Sequence, residues 1–336
     1  MITASAVIKQ GNTAVITGAS SGIGRATALT CAAKGMSVWM IDIDKEELEA
    51  AKELVLQKRL DESCKVCAHT VWCGYWILGD GSFLQHIFVF CGKIDARVVN
   101  VADSKAMLSL AEEVFDKDGK CHFLMNNAGV GAGGGPMTDM ETVHFTMGVN
   151  AYGPIHGCIA FVPRMKDSGE LGLIVNTGSK QGITMPPGNL TYNMSKAALK
   201  CYTEGLEHDL RSSDSSQLRA ALLVPGWVNT SIALKAMRQE KLDKGEIFDI
   251  NSVFFHEDKP APGAWMPQQV VDFMIQELDQ GKFYVICPDN DVDRDTDNLR
   301  MTWTMQDITQ DRPPLSRWHP EYKEKFTAYL KDNLPK

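Results

Sequence analysis

Tyr192 and Lys196 stand four residues apart in a stretch with helical apolar spacing, Leu190 to Leu210. On a helix that spacing puts both side chains on one face, with Cβ atoms about 5–6 Å apart. A tyrosine that exchanges a proton near neutral pH must have its pKa brought down from ~10, and a neighbouring ammonium does this by stabilising the phenolate. The same spacing also describes a tyrosine packed beside a solvated lysine, so the pair needs company. Ser179 closes the run Asn176-Thr177-Gly178-Ser179, thirteen residues before Tyr192. A hydroxyl at a strand end can donate to a substrate carbonyl oxygen and stabilise charge developing there. Asn150, polar within the helical stretch Val149 to Gly153, could hold a water beside Lys196 and relay protons.

A second cluster lies near the N-terminus. Thr17-Gly18-Ala19-Ser20-Ser21-Gly22-Ile23-Gly24 follows the β-type run Thr13–Ile16 and opens the amphipathic stretch Arg25–Ala33. Strand, glycine turn, helix is the order a dinucleotide pyrophosphate needs: glycines remove side chains where backbone meets phosphate, and the helix N-terminus offers free N–H groups and partial positive charge. An ordinary glycine turn reads the same until an acid follows about twenty residues on. Asp42 is that acid, ending the run Met36–Ile41. At the tip of a second parallel strand it would accept from both adenosine ribose hydroxyls and repel a 2′-phosphate, which favours NAD over NADP. Asp44 adds to the repulsion, and no basic residue follows before Lys45. The alternative is that Asp42 begins a turn and caps the helix from Asp44.

The elements that must position these residues alternate between β-type and helical runs. Strands are expected at 13–16, 36–41, 96–101, 122–125, 172–176, 219–224 and 283–286. Helices are expected from 25, over 45–60, 104–115, 138–165 and 190–210, and near 268–278. That alternation predicts an α/β fold, a Rossmann-type doubly wound parallel sheet of about seven strands with right-handed crossovers. The expected domain covers residues 12–288, with a C-terminal extension at 289–336. With 336 residues, 44% of them hydrophobic, the chain can bury a large core. Its net charge of −8 argues against nucleic-acid binding. There is no secretory signal pattern and no uninterrupted apolar span of ~18–20 residues, which argues against a membrane. Nine scattered cysteines without framework spacing fit reduced thiols in the cytoplasm.

Two segments break the rhythm. Residues 63–93 fall where a few connecting residues suffice, and carry four cysteines, Cys64, Cys67, Cys73 and Cys91. Three readings stay open: a zinc knuckle completed by His69 or His86, an apolar flap or dimer element, or a translated intron whose removal would join Asp61-Glu62 to Ile94-Asp95. The tail is rich in charge, proline and tryptophan, with a helical end over 321–330. It could cover the substrate cleft, pack on a partner subunit or decorate the surface.

Taken together, the chain resembles the short-chain dehydrogenase/reductase family, in its single-domain branch. The resemblance rests on Thr17–Gly24, Asp42, Asn100-Val101-Ala102-Asp103, Asn126-Asn127-Ala128-Gly129, Asn150, Ser179, Tyr192 with Lys196, and Pro225-Gly226-Trp227-Val228-Asn229-Thr230. It implies Tyr192 as general acid/base, Lys196 as the group that lowers its pKa and binds the nicotinamide ribose, Ser179 as substrate orienter and Asn150 in the proton relay. It implies a cofactor held by Gly18, Ser20, Ser21, Gly22, Ile23, Gly24 and Asp42, an adenine between Asn100 and Val101, and Asn127, Ala128 and Gly129 along the adenosine side. Pro225, Val228 and Thr230 would border the carboxamide. Ser21, where NADP-using relatives are often basic, agrees with Asp42. No resident metal is expected.

The implied activity is reversible NAD-dependent oxidation of a secondary alcohol to a ketone. The alternatives are an NADPH-linked carbonyl reductase and a catalytically silent NAD-binding regulator. Substrate choice should lie in Thr230 to Met266, which holds Ile232, Leu234, Met237, Phe248, Phe254, Phe255 and Trp265, with Met185 to Gly188 across the cleft. The glycine-rich run Gly131 to Gly135 reads equally well as a mobile loop beside the cleft or as a plain surface connection. Relatives pair through the long helices, which implies a homodimer or homotetramer.

Overall fold

In the computed structural model, residues 2–69, 76–77, 83–84, 92–131, 133–212, 217–232, 245 and 261–335 are described. Side chains of residues 60–91 lie outside that description.

Seven strands form one wholly parallel sheet. They are β1 (Thr13–Thr17), β2 (Ser37–Asp42), β5 (Ile94–Val98), β6 (Phe123–Asn126), β7 (Gly172–Thr177), β8 (Leu218–Val224) and β9 (Tyr284–Ile286). Two short strands, β3 (Trp76–Ile77) and β4 (Phe83–Leu84), pair antiparallel apart from it. The order across the sheet is β5-β2-β1-β6-β7-β8-β9. The order in which successive strands are added reverses between β1 and β6, which opens a crevice at the strands' C-terminal ends. This is a Rossmann-type α/β fold.

The strands read as continuous apolar runs because helices cover both sheet faces. On β1, Ala14 and Ile16 join one buried cluster with Leu48, Val55, Val270 and Met274. Val15 points the other way, into a cluster with Met107, Leu110, Phe161 and Leu210. The covering helices are α2 (Gly22–Ala33), α3 (Lys45–His69), α4 (Ser104–Asp118), α6 (Gly153–Asp167), α8 (Leu190–Ser212) and α9 (Pro267–Asp279). No helix among the described residues is long and apolar enough to cross a membrane.

Most strands shift by only a residue from expectation, and two elements differ by more. The strand expected at 96–101 runs over Ile94–Val98, paired with β2 alone. Asp42, the last β2 residue, faces Val98, so no partner backbone exists for Asn100 and Val101, which turn away. The helix expected over 138–165 is three pieces: α5 (Met140–Met147), a wider π turn over Gly148–Tyr152, and α6. Pro154 in the first turn of α6 lacks an N–H, and π turns recur where a side chain is turned to a task. Asn150 is in that turn. The four-residue helices α1 (Ala4–Val7) and α7 (Gln181–Thr184) were not foreseen.

The tail departs most. Between Asp289 and Lys336, α10 (Arg294–Thr309) precedes two single turns and α11 (Lys323–Asn333). They fold around Trp303, 4% exposed, whose ring meets Phe326 at 5.2 Å and Tyr329 at 5.1 Å, with the Arg312 guanidinium 3.9 Å from its centre. Its indole N–H donates to Ser316 Oγ at 2.8 Å, and Asp307 accepts from both the backbone and the hydroxyl of Ser316.

Candidate active site

The glycine turn is shaped by what it lacks. Gly18 and Gly22 take φ of +65° and +53°, where a side chain is strained. A Cβ on Gly18 would fall 2.8 Å from Ala128 Cα, and one on Gly24 would fall 2.1 Å from the Gly18 carbonyl oxygen. Ser21 precedes α2 without capping it through its side chain, and the first turn holds no acid. Its hydroxyl instead meets that of Ser231 at 2.8 Å. The first N–H groups of α2 are thus left for an anion, which fits a pyrophosphate. Ile23 is buried, and Ser20 is held by its backbone.

Asp42 is anchored at the tip of β2. Its carboxylate accepts from the N–H groups of Ser20 (3.1 Å), Ile43 (2.8 Å) and Asp44 (3.3 Å). Asp44 caps α3 through the Glu47 N–H, so the helix-capping duty falls on it rather than on Asp42. A carboxylate has about four acceptor sites, so Asp42 keeps capacity for a ribose hydroxyl.

The Thr17 hydroxyl accepts from the N–H groups of Asn127 and Ala128 at 2.9 and 3.0 Å, while Asn127 Nδ2 donates to the Thr17 carbonyl at 3.2 Å. These bonds hold the turn after β6 against the turn after β1. Asn100 closes its own turn onto Ala102, and Val101 packs on Gly153 and receives His156 at its carbonyl. Val228 is buried and bridges to Trp265, while Thr230 lies over Gly22, 3.1 Å from where a Cβ would be. Pro225, directly after β8, begins this loop.

The four proton-handling candidates come from three places in the chain: α8, the end of β7 and the π turn. Tyr192 is half-buried in the first turn of α8 and hydrogen-bonds Ser179, two residues past the end of β7. Lys196 is 4% exposed and donates to the Thr177 carbonyl at 2.8 Å, with Nζ 5.7 Å from the centre of the Tyr192 ring. Asn150 exchanges bonds with both the N–H and carbonyl of Val130, and donates to Ser195 Oγ at 3.2 Å. Gly129 joins them: a Cβ there would lie 3.3 Å from Asn150 Oδ1 and 3.7 Å from Lys196 Nζ. One expectation changes. Burial pushes the Tyr192 phenol up rather than down, offset only in part by Ser179. Burial also brings Lys196 down to about 8. The Lys196 amine spends its hydrogen bond on the Thr177 carbonyl, and burial drives the phenol upward and the amine downward.

On the substrate side, Met185 is exposed with φ of +50°, and Pro186 accepts from Asn193 at its carbonyl. Trp265, expected along the cleft, stands edge-on to Phe273 at 5.7 Å. Leu234, Met237, Phe248, Phe254 and Phe255 lie outside the described residues. So do the side chains of Cys64, Cys67, His69, Cys73, His86 and Cys91. Among the described residues no group of three or more His, Cys, Asp and Glu could hold a metal ion.

Sequence reasoning missed a buried amide ladder. Asn126 donates to Asn176 at 2.9 Å and Asn176 to Thr203 at 3.0 Å, tying β6 and β7 to α8. It also missed Lys180, the residue after Ser179. Its ammonium lies 2.5 Å from Asp297 on α10 and 3.3 Å from Asp289. Lysine beside serine is an ordinary surface pair in sequence, and its acidic partners lie more than a hundred residues away.

The sequence model described as short chain dehydrogenase matches residues 12–69 and 85–241. The chain belongs to the short-chain dehydrogenase family. It is 28% identical over 244 residues to the putative oxidoreductase SadH of Mycobacterium tuberculosis, covering 71% of this chain and 76% of that protein. It is 31% identical over 224 residues to 1-deoxy-11-beta-hydroxypentalenate dehydrogenase of Streptomyces avermitilis, covering 66% and 70%. A short-chain dehydrogenase/reductase from Burkholderia phymatum, solved with NAD, superposes with a TM-score of 0.69 at 27% identity, covering 91% of this chain and 96% of that one. A metagenomic member solved with NADP shares the fold at 23% identity, with a TM-score of 0.57 over 83% and 98% of the two chains. This short-chain dehydrogenase is an NAD(P)-dependent oxidoreductase acting on CH–OH groups of small molecules.

Proposed function

We propose that the enzyme catalyses reversible oxidation of a secondary alcohol to a ketone with NAD as its preferred cofactor. One observation carries the reading: Tyr192, Ser179, Lys196 and Asn150 are gathered at the same sheet edge as an uncapped helix N-terminus and an anchored Asp42.

The turn from Gly18 to Gly24 would hold the pyrophosphate, and Asp42 the adenosine ribose. Asn100, Val101, Asn127, Ala128 and Gly129 would line the adenosine side, and Pro225, Val228 and Thr230 the carboxamide. Bound nicotinamide supplies the hydride acceptor. The Ser179 hydroxyl donates to the substrate oxygen and holds it against the phenol. Tyr192, once deprotonated, takes the alcohol proton. Lys196 would position the nicotinamide ribose, and Asn150 would pass the proton outward. Asp42 disfavours NADP by charge: its carboxylate is fixed by three backbone N–H groups and cannot swing away from a 2′-phosphate.

Exposed Phe145, Tyr152, Ile159 and Met194 on the α5–α6 and α8 region support a homodimer or homotetramer paired through those helices. Five cysteines among the described residues are free thiols, which supports a reducing, cytoplasmic setting. An NAD(H)-coupled absorbance screen of secondary alcohols and ketones tests the reading. Turnover with NAD, lost on Tyr192→Phe with NAD binding kept, is the expected result. Tighter binding of NADPH would overturn the cofactor preference, and full activity of Tyr192→Phe would overturn the mechanism.

A further inference from the structure

The residue after Ser179 is drawn into a buried charge cluster supplied by the C-terminal tail. The Lys180 side chain is 16% exposed, that of Asp289 9% and that of Asp297 4%. Lys180 Nζ sits between the two carboxylates, and Arg300 approaches Asp297 at 4.0 Å. Asp289 has a second duty. The oxygen that meets Lys180 also accepts the Trp227 N–H at 3.1 Å, inside the loop Pro225–Thr230. A Cβ on Gly226 would fall 2.7 Å from that oxygen and 3.0 Å from Lys180 Nζ, so this loop packs directly on the cluster. Next to it, Asn290 fixes Gly263 and Ala264 through its backbone N–H (2.9 Å) and side-chain amide (3.0 Å). Trp265, one residue on, bridges to Val228.

We infer that Lys180 is a positioning residue, through which Asp289 and Asp297 of the tail lock the Ser179 segment to the loop of Pro225–Thr230. The inference rests on the proposed roles of Ser179 and of that loop. Ser179 meets the substrate oxygen; the loop borders the nicotinamide. The tail thereby sets the spacing between the point where a proton leaves the substrate and the point where hydride leaves it. A misplacement of about 1 Å can cost about a hundredfold in rate. Removing Lys180 leaves Asp289 without this cation and unties the Ser179 segment from the tail, while Arg300 still faces Asp297.

The test compares Lys180→Met and Asp289→Leu with the full-length parent. It uses steady-state kinetics on an alcohol found in the screen, together with amide hydrogen exchange. Lys180→Met should lower kcat about 10- to 100-fold with KM within about threefold, and speed exchange in residues 176–184, 225–232 and 294–309. Asp289→Leu keeps roughly the size of the side chain and the Lys180–Asp297 pair but removes the oxygen that accepts from Trp227 and Lys180, so it should speed exchange in 225–232 alone; it carries the test if Lys180→Met fails to fold. Unchanged exchange in 225–232 in Asp289→Leu overturns the inference. So does a folded Lys180→Met with parental kcat. A parent that turns over no alcohol counts against the proposed function instead, and exchange then decides the brace by itself.

Discussion

The glycine turn after β1 and the polar cluster around Tyr192 are made from opposite materials. Between Gly18 and Gly24 the site is defined by missing side chains, with backbone so close that a single Cβ would collide. Around Tyr192 it is defined by polar side chains withdrawn from water and satisfied by one another. Volume should therefore break the first region, and chemistry the second.

Four experiments sharpen that contrast. Tyr192→Phe, which removes one oxygen and no bulk, should lower kcat by about 10²–10⁴-fold while NADH affinity, read by fluorescence titration, stays within a few-fold. Gly24→Ala, which adds one carbon and no charge, should cost about 1–3 kcal/mol of stability and weaken NADH binding; unchanged melting would mean the turn has slack.

The third concerns Lys196, lowered to about 8 by burial from its usual 10.5. Between those values the unfolded chain holds a proton that the folded chain does not, so stability rises with pH. Urea melts of the parent should gain about 1–2 kcal/mol from pH 8 to pH 10. Above pH 10, Tyr192, raised by burial, reverses the trend. Lys196→Met should lack the gain; a parent with flat stability over that window would show the amine to be hydrated. Smallest is Asp42→Asn, which should shift the NAD-to-NADP affinity ratio by about tenfold toward NADP, measured by parallel titrations.

What could be read from sequence follows the same division. The glycine turn, Asp42 and the Tyr192–Lys196 pair are local patterns, and strands buried on both faces announce themselves as apolar runs. β5 was read two residues late because an edge strand, Ile94-Asp95-Ala96-Arg97-Val98, alternates instead of running apolar. α10 was missed outright: its packing depends on Trp303, Arg312, Asp307 and Ser316 rather than on an apolar stripe. The upward pKa of Tyr192 was hidden as well, since spacing reveals a neighbour but not the burial that drives the shift.

The join between α3 and β5 has a practical consequence. The Arg59 guanidinium donates to the Gly92 carbonyl, and from Ile94 onward β5 keeps unbroken parallel register with β2. The two ends of this stretch are therefore held side by side where β5 begins. A fluorescent reporter grafted between Arg59 and Gly92 should leave the β2–β5 pairing in place, which amide exchange in Ile94–Val98 would read.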